Sequence, residues 1–468
     1  MSRRTKIIAT LGPASSGEET IQRMVAAGMD VARLNFSHGD HESHRVLAAR
    51  VRRAAEAEGK VVALLQDIQG PKLRVGSFPG GSTVLEAGET VRLRPGQEMG
   101  NSETLWIAYD HLLNDVEVGD PVLLADGHIR LQVTESKSSF LRATVQAGGT
   151  LENQQGVAFP RSELRTPSVT SRDEQDLEFG RELEVDWVAA SFVRSAEDLR
   201  QVRRFAGPDV PVMAKIELAV AFDRLDSILA EADGAMVARG DLGVQLPLQK
   251  IPRIQTEILR RTNRSGGLSV TATEMLESMI HSHRPTRAEV TDVVSAVHSG
   301  TDAVMLSGET AVGDHPVRVI EVMDDVCREA EDSAPSVNPT ELLLDEEPFP
   351  SATAKAAVGA AESLDLKTIV AFTESGSTAR LISKYRPHAS IVAFTPDERT
   401  RRRMALYWGV RPVLYDRLES TDSMIAFADR RLRELDLSGE GEAVVIVAGV
   451  PPNERHSTNL IKLHQISS

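Results

Sequence analysis

Through its first three hundred residues the chain repeats one phrase: a short apolar run, a polar turn, then a helical pattern. The apolar runs fall at 6–12, 31–37, 61–67, 186–193, 211–217, 234–240, 268–273 and 303–307. They are near-continuous rather than alternating, which predicts strands buried on both faces, as in a parallel sheet. Helical spacing lies between most of them, at 18–27, 41–58, 196–205, 219–231, 248–264, 286–299 and 317–331. Eight strands alternating with helices predict an α/β fold built on a (β/α)₈ barrel. In such barrels chemistry gathers where the strands stop.

The strand ends bear this out within the sequence. They carry Arg33, Asn35, Ser37 and His38; Asp67, Lys72 and Arg74; Ser191 and Arg194; Lys215 and Glu217; Arg239 and Asp241; Thr271, Thr273 and Glu274; Ser307 and Glu309. One polar strand end means little, but seven imply a shared site.

The rhythm breaks between strands three and four. Residues 70–160 hold Gly/Pro-rich turns, such as those at 78–82 and 94–97, around short alternating runs such as Leu141–Val145. That pattern predicts an inserted all-β domain, placed to close over the site as a lid. After about residue 333 comes a linker rich in Pro, Ser, Asp and Glu. New strands follow near 368–372, 390–394, 411–414 and 443–448. The expected units are the barrel at 1–69 and 161–333, the lid at 70–160, and a C-terminal α/β domain at 345–468.

Composition changes this picture in one respect. Of 468 residues, 41% are hydrophobic and 26% charged, ordinary for a globular protein. The formal net charge of −15 argues against nucleic acid or an anionic membrane as the main partner. An anionic substrate then needs a local cluster of cations or metal. The run Arg401–Arg403 is expected to be a solvated helix face. The single cysteine, Cys327, is expected to be a buried structural thiol. No window has the apolar length to span a bilayer or serve as a signal peptide, which points to a cytoplasmic protein.

Glu217 and Asp241 end consecutive strands, so their carboxylates lie close together. With a phosphorylated substrate, two carboxylates suit Mg²⁺, which completes its shell with substrate and water; the residues alone leave barrel-top salt bridges open. Lys215, two residues before Glu217, points to the same side and can stabilise an enolate or a transferring phosphoryl group. Arg33 and Arg74 can bind phosphate oxygens in bidentate fashion or form ion pairs. The glycines around Asp241, Gly240 among them, allow close backbone approach. The Thr273 hydroxyl can relay a proton or make a turn hydrogen bond.

Taken together, the stretches TKIIATLGPAS (Thr5–Ser15), DVARLNFSHG (Asp30–Gly39), KIE (Lys215–Glu217), DGAMVARGDLG (Asp233–Gly243), EMLESMI (Glu274–Ile280), RPTRAE (Arg284–Glu289) and MLSGETA (Met305–Ala311) resemble the pyruvate kinase family. The likeness runs nearly end to end. It implies the same three-part fold and transfer of a phosphoryl group from phosphoenolpyruvate to ADP, the last step of glycolysis. It further implies Mg²⁺ or Mn²⁺ at Glu217 and Asp241, and Lys215 on the enolate and the phosphoryl group. Arg33 corresponds to the phosphate contact, and Gly240, Asp241 and Thr273 to the phosphoenolpyruvate contacts, with Thr273 near proton delivery. Asn35, His38 and Arg74 correspond to nucleotide contacts. A homotetramer is the usual assembly.

Many family members bind K⁺ through the equivalents of Asn35, Ser37, Asp67 and the Ile68 carbonyl. Their turn typically reads DTKGPEIRT, where this chain reads DIQGPKLRV (Asp67–Val75). Lys72 therefore replaces a glutamate, and its ammonium is expected to substitute for K⁺, as in the K⁺-independent branch. Two further departures stand out. Glu274 replaces the usual Gln, and the glycine that usually follows Pro160 is absent. In the C-terminal domain, Thr373, Ser375, Gly376, Ser377 and Thr378 follow a strand and open a helix, a phosphate-binding arrangement or plain N-capping. The resemblance makes this a sugar-phosphate effector loop, which the 450–458 loop can complete. Two rivals are weighed against this reading. One is an aldolase or mutase barrel acting on phosphoenolpyruvate or a 2-oxo acid, which needs no lid. The other is a non-catalytic relative, which need not keep Lys215, Glu217, Asp241 and Thr273.

Overall fold

The computed structural model describes residues 3–333, 348–450 and 458–467. The acidic linker and most of the 450–458 loop lie outside the described residues. Eight parallel strands close into a barrel: Lys6–Thr10, Val31–Asn35, Ala63–Asp67, Trp187–Ala190, Val212–Ile216, Gly234–Ala238, Leu268–Ala272 and Ala303–Leu306. Closure is made by the first and eighth strands, in the register Lys6 with Ala303 and Ala9 with Leu306.

The continuous apolar runs have a plain cause. Alternate residues such as Ile8, Leu65, Met213, Met236 and Met305 fill the barrel interior. Their neighbours Ile7, Leu64, Val212, Val237 and Val304 pack outward against the helices. The polar ends of the strands escape this packing and are left for chemistry.

Between strands three and four sits the lid. It is a six-stranded sheet built from residues 90–158, with a two-stranded ribbon pairing Ser82–Leu85 with Gly149–Glu152. Its core is its own, formed by residues such as Leu93, Ile107, Leu131 and Leu141. One helical turn, Leu112–Asp115, interrupts the expected all-β character.

The C-terminal sheet holds the four expected strands, Thr368–Phe372, Ser390–Thr395, Val410–Leu414 and Ala443–Gly449. It adds a fifth, Thr458–Gln465, antiparallel to its neighbour at the sheet edge. The 219–231 helix divides at Arg224 into two short helices, Ala219–Asp223 and Leu225–Leu229.

One expectation is overturned where this sheet meets the barrel. Arg401–Arg403 do not form a solvated face. Arg402 is 13% exposed and pairs with Asp186 at 2.8 Å, just before barrel strand four. The Arg403 carbonyl accepts the indole N–H of Trp187. Lys384 and Arg386 likewise converge on Asp302, before strand eight, and Lys384 also donates to Asn263 at 2.9 Å. The end of the barrel opposite the site is therefore tied to helices of the C-terminal domain by ion pairs to the buried Asp186 and Asp302. No helix among the described residues is long and apolar enough to cross a membrane.

Candidate active site

Lys215 stands at the centre of the polar barrel mouth. It is the fourth residue of strand five, and the strand's alternation turns its side chain inward. Its ammonium lies 2.9 Å from Glu217 Oε1 and 3.1 Å from Asp67 Oδ1, and it donates to Ser191 Oγ at 2.7 Å. The side chain is 11% exposed. Burial works against the charge, but Asp67 and Glu217 outweigh it and raise the ammonium above its ordinary value. Lys215 is thus a fixed, dry cation.

Asp67 is shared. Its second oxygen accepts from Arg33 Nε at 2.7 Å, and Arg33 also donates to Thr10 Oγ1 at 2.9 Å. Burial opposes ionisation of Asp67, yet Lys215 and Arg33 hold its carboxyl below the usual range. One carboxylate therefore sets the spacing of two cations, a preorganised arrangement for an anionic group.

Glu217 is almost fully buried. Its Oε2 accepts the Phe192 N–H at 2.6 Å. Phe192 takes the left-handed conformation, at φ 54°, which aims that N–H across the strand ends. Such strain in a bulky residue collects at functional sites. Burial, with the negative charge of Asp241 nearby, pushes the Glu217 carboxyl up to about 7 despite Lys215. Asp241 lies in the first turn of a short helix, Arg239–Gln245, that begins directly after strand six. Both carboxylates line one cleft of about 470 Å³, bounded by the barrel ends and by residues 156–164, where the lid returns to the barrel. No cluster of three or more acidic, His or Cys side chains suited to a metal occurs among the described residues. The two-carboxylate arrangement matches the few protein ligands that Mg²⁺ takes.

The other expected residues fall in four places. Gly240 joins Thr273: its N–H donates to Thr273 Oγ1 at 2.9 Å. Asn35, Ser37 and Ile68 gather beside Asp67. Asn35 Oδ1 accepts the Ser37 N–H at 3.2 Å, and the Ile68 carbonyl accepts from Ser191 Oγ at 2.7 Å. His38 is exposed on the next turn, where its carbonyl accepts from His44. Arg74 stands on the lid hinge and donates to the Gln154 carbonyl at 2.8 Å.

Lys72 is not brought to the Asn35–Ser37–Asp67 cluster. Its ammonium lies 3.7 Å from Asp241 Oδ1. The expected position is thereby corrected: Asp67 is taken by Arg33 and Lys215, and the turn at Gly70 carries Lys72 to Asp241. Ser191 and Phe192 were legible only as polar or terminal residues of strand four. Their roles toward Lys215 and Glu217 depend on contacts across strands.

In the C-terminal domain, Gly376 (φ 86°) turns the chain into the helix Ser377–Lys384. Thr373 Oγ1 accepts the Gly376 N–H, and Thr378 pairs with Thr458 at 2.7 Å. Those two hydroxyls face inward, while Ser375 and Ser377, 3.1 Å apart, are half-buried.

The chain is similar to known proteins over nearly its whole length. Residues 2–320 match the family model "Pyruvate kinase, barrel domain", and residues 351–464 match "Pyruvate kinase, alpha/beta domain". Pyruvate kinases of Staphylococcus epidermidis and Staphylococcus aureus are each 40% identical over 99% of this chain and 80% of theirs. The crystal structure of a pyruvate kinase from Cryptosporidium parvum superposes with a TM-score of 0.93. It is 36% identical and covers 99% of this chain and 96% of that one. With its eight-stranded barrel, lid and C-terminal sheet, the chain belongs to the pyruvate kinase family of phosphotransferases.

Proposed function

We propose that the Lys215–Asp67–Arg33–Glu217 constellation carries transfer of the phosphoryl group of phosphoenolpyruvate to ADP. A terminal phosphate oxygen of ADP attacks phosphorus, and the bond from phosphorus to the enol oxygen breaks. The enolate left behind takes a proton at its methylene carbon, giving pyruvate beside ATP. Negative charge builds on the phosphoryl oxygens and on the enolate oxygen. Lys215 and Arg33 lie where both charges can be met.

Glu217 and Asp241 would hold Mg²⁺ or Mn²⁺. The fit rests on the geometry: Glu217, buried, and Asp241, in the first turn of its helix, line the same cleft at the barrel mouth. When bound, the ion would neutralise phosphoryl and enolate oxygens as a Lewis acid. Asp241 offers its backbone N–H to the substrate carboxylate, Gly240 leaves room for that close approach, and Thr273 stands on the proton route. Asn35, His38 and Arg74 face the nucleotide, and the lid excludes water when it closes.

The activity is proposed to be independent of K⁺, with Lys72 supplying the positive charge. It does so beside Asp241 rather than inside the Asn35–Ser37–Asp67 cluster. The loop Thr373–Thr378 is proposed to take a sugar phosphate, with Ser375 and Ser377 as its contacting hydroxyls. A cytoplasmic homotetramer is the proposed working form.

The observation that carries this reading is the buried ammonium of Lys215 held between Asp67 and Glu217. Mn²⁺ binding, followed by water-proton relaxation in the parent and in Glu217→Gln, tests the metal assignment. Loss of binding in the variant, with the fold retained by circular dichroism, is expected; undiminished binding would exclude Glu217 as a ligand.

A further inference from the structure

The hydroxyl of Thr273 does not stand on an ordinary strand end. Thr273 and Glu274 both take left-handed backbone conformations, at φ 69° and 52°. Neither is glycine, and a β-branched residue at positive φ is strongly disfavoured. A turn of this kind persists only where its surroundings over-determine it.

Those surroundings centre on Arg239. Its Nε donates to the carbonyls of Ala272 and Thr273, each at 3.2 Å. One terminal nitrogen also donates to the Thr273 carbonyl and lies 2.9 Å from Met275 Sδ. The other pairs with Asp292 on the helix Arg287–His298. The guanidinium is 10% exposed. It is therefore a cation at the barrel mouth committed to the backbone and to Asp292 rather than left free for a substrate anion. The residue after it completes the frame. The Gly240 N–H donates to Thr273 Oγ1, and that hydroxyl donates in turn to the Ala272 carbonyl at 2.6 Å. The direction of the hydroxyl is thus fixed from two sides, and the peptide that bears it is fixed by Arg239.

We propose that Arg239 and Asp292 are positioning residues for protonation of the enolate. They hold the left-handed Thr273–Glu274 turn, and through it fix where the Thr273 hydroxyl stands on the proton route to the methylene carbon. Neither touches the substrate. The inference rests on the reading of Thr273 as part of the proton route. It separates the two halves of the reaction, because the turn bears on carbon protonation while the phosphoryl group is met by Lys215, Arg33 and the metal carboxylates.

The test is exchange of the pyruvate methyl protons in D₂O with Mg²⁺ and ATP, followed by NMR. It is run on the parent, Asp292→Asn, Arg239→Lys, Thr273→Ala and the Asp292→Asn/Thr273→Ala double variant, with Mn²⁺ binding measured in each. Asp292→Asn is isosteric and partly exposed, so it leaves the barrel core intact. Arg239→Lys keeps the charge and removes the fork. Both are expected to slow exchange roughly ten- to a hundredfold with Mn²⁺ binding unchanged, the scale of a small misplacement of a reacting group. In the Thr273→Ala background, Asp292→Asn is expected to add nothing further. Parental exchange in Asp292→Asn, or the same loss in both backgrounds, would overturn the positioning role while leaving Thr273 in place. Parental exchange in Thr273→Ala would remove the reading of Thr273 itself, and this inference with it.

Discussion

Lys215 Nζ and Glu217 Oε1 lie 2.9 Å apart at the end of strand five, Lys215 within the strand and the buried Glu217 one residue past it. The pair juxtaposes the cation assigned to the phosphoryl group with a carboxylate assigned to the metal. Lys215→Met keeps the volume and removes the charge. Loss of one preorganised charge contact of this type costs about 10²–10³ in kcat. That loss is expected here, with the KM for ADP little changed, measured by coupled pyruvate formation. A variant within a few-fold of the parent would place the chemistry elsewhere.

Lys72 makes its ion pair with Asp241 at 3.7 Å. Lys72→Glu restores the residue type usual at this turn in the family. In K⁺-free buffer the variant is expected to lose at least roughly tenfold in kcat/KM for phosphoenolpyruvate, about 1.4 kcal/mol. Added K⁺ is expected to recover much of that loss. A variant that stays active without K⁺ would show that Lys72 does not stand in for the ion.

The strand ends were legible because a doubly buried parallel strand has only one place for polar chemistry. Lys215, Glu217 and Asp241 stand out against apolar runs for that reason. Less was legible where partners are distant in sequence. Nothing in the turn at residues 67–75 says that Lys72 reaches Asp241, 169 positions on. Asp186 and Asp302 read as ordinary residues before strands, and only the fold brings Arg402 and Lys384 to them. The strand Thr458–Gln465 was missed because it lies at a sheet edge with most side chains half or fully exposed, so it forms no apolar run. The helix Arg239–Gln245 was hidden by its two glycines, which read as a turn.

Asp302 is fully buried between Lys384 and Arg386, which are 0% and 8% exposed. Burial opposes its ionisation, but the two cations outweigh it and hold the carboxyl below its usual range. Asp302→Asn leaves both cations uncompensated and is expected to destabilise the protein by about 3–5 kcal/mol. The pH dependence has a definite sign. A carboxyl depressed in the folded state contributes its stability above the unfolded value, near 4, and loses it as pH falls through the folded value. The gap between parent and variant in urea denaturation should therefore be full at pH 7 and narrow below about pH 4. A gap independent of pH would contradict the charged assignment.

Cys327 lies on the helix Pro316–Ser333 with no exposed surface, and burial pushes its thiol up to about 12. The thiolate is the reactive form. The native protein at pH 8 is expected to resist a chromogenic disulfide reagent. Denatured protein should release one equivalent, since the chain has one cysteine. Rapid modification of the folded protein would show that this helix opens readily. Cys327→Ser, which buries a hydroxyl, is expected to cost about 1–3 kcal/mol.

The most direct measurement is pyruvate formation from phosphoenolpyruvate and ADP with Mg²⁺, with and without K⁺, in buffer otherwise free of K⁺ and Na⁺. Equal, substantial rates in both are predicted. A rate only with K⁺ would retain the phosphotransfer site and refute the role of Lys72, and folded protein inactive under both conditions would contradict the site built on Lys215, Glu217 and Asp241.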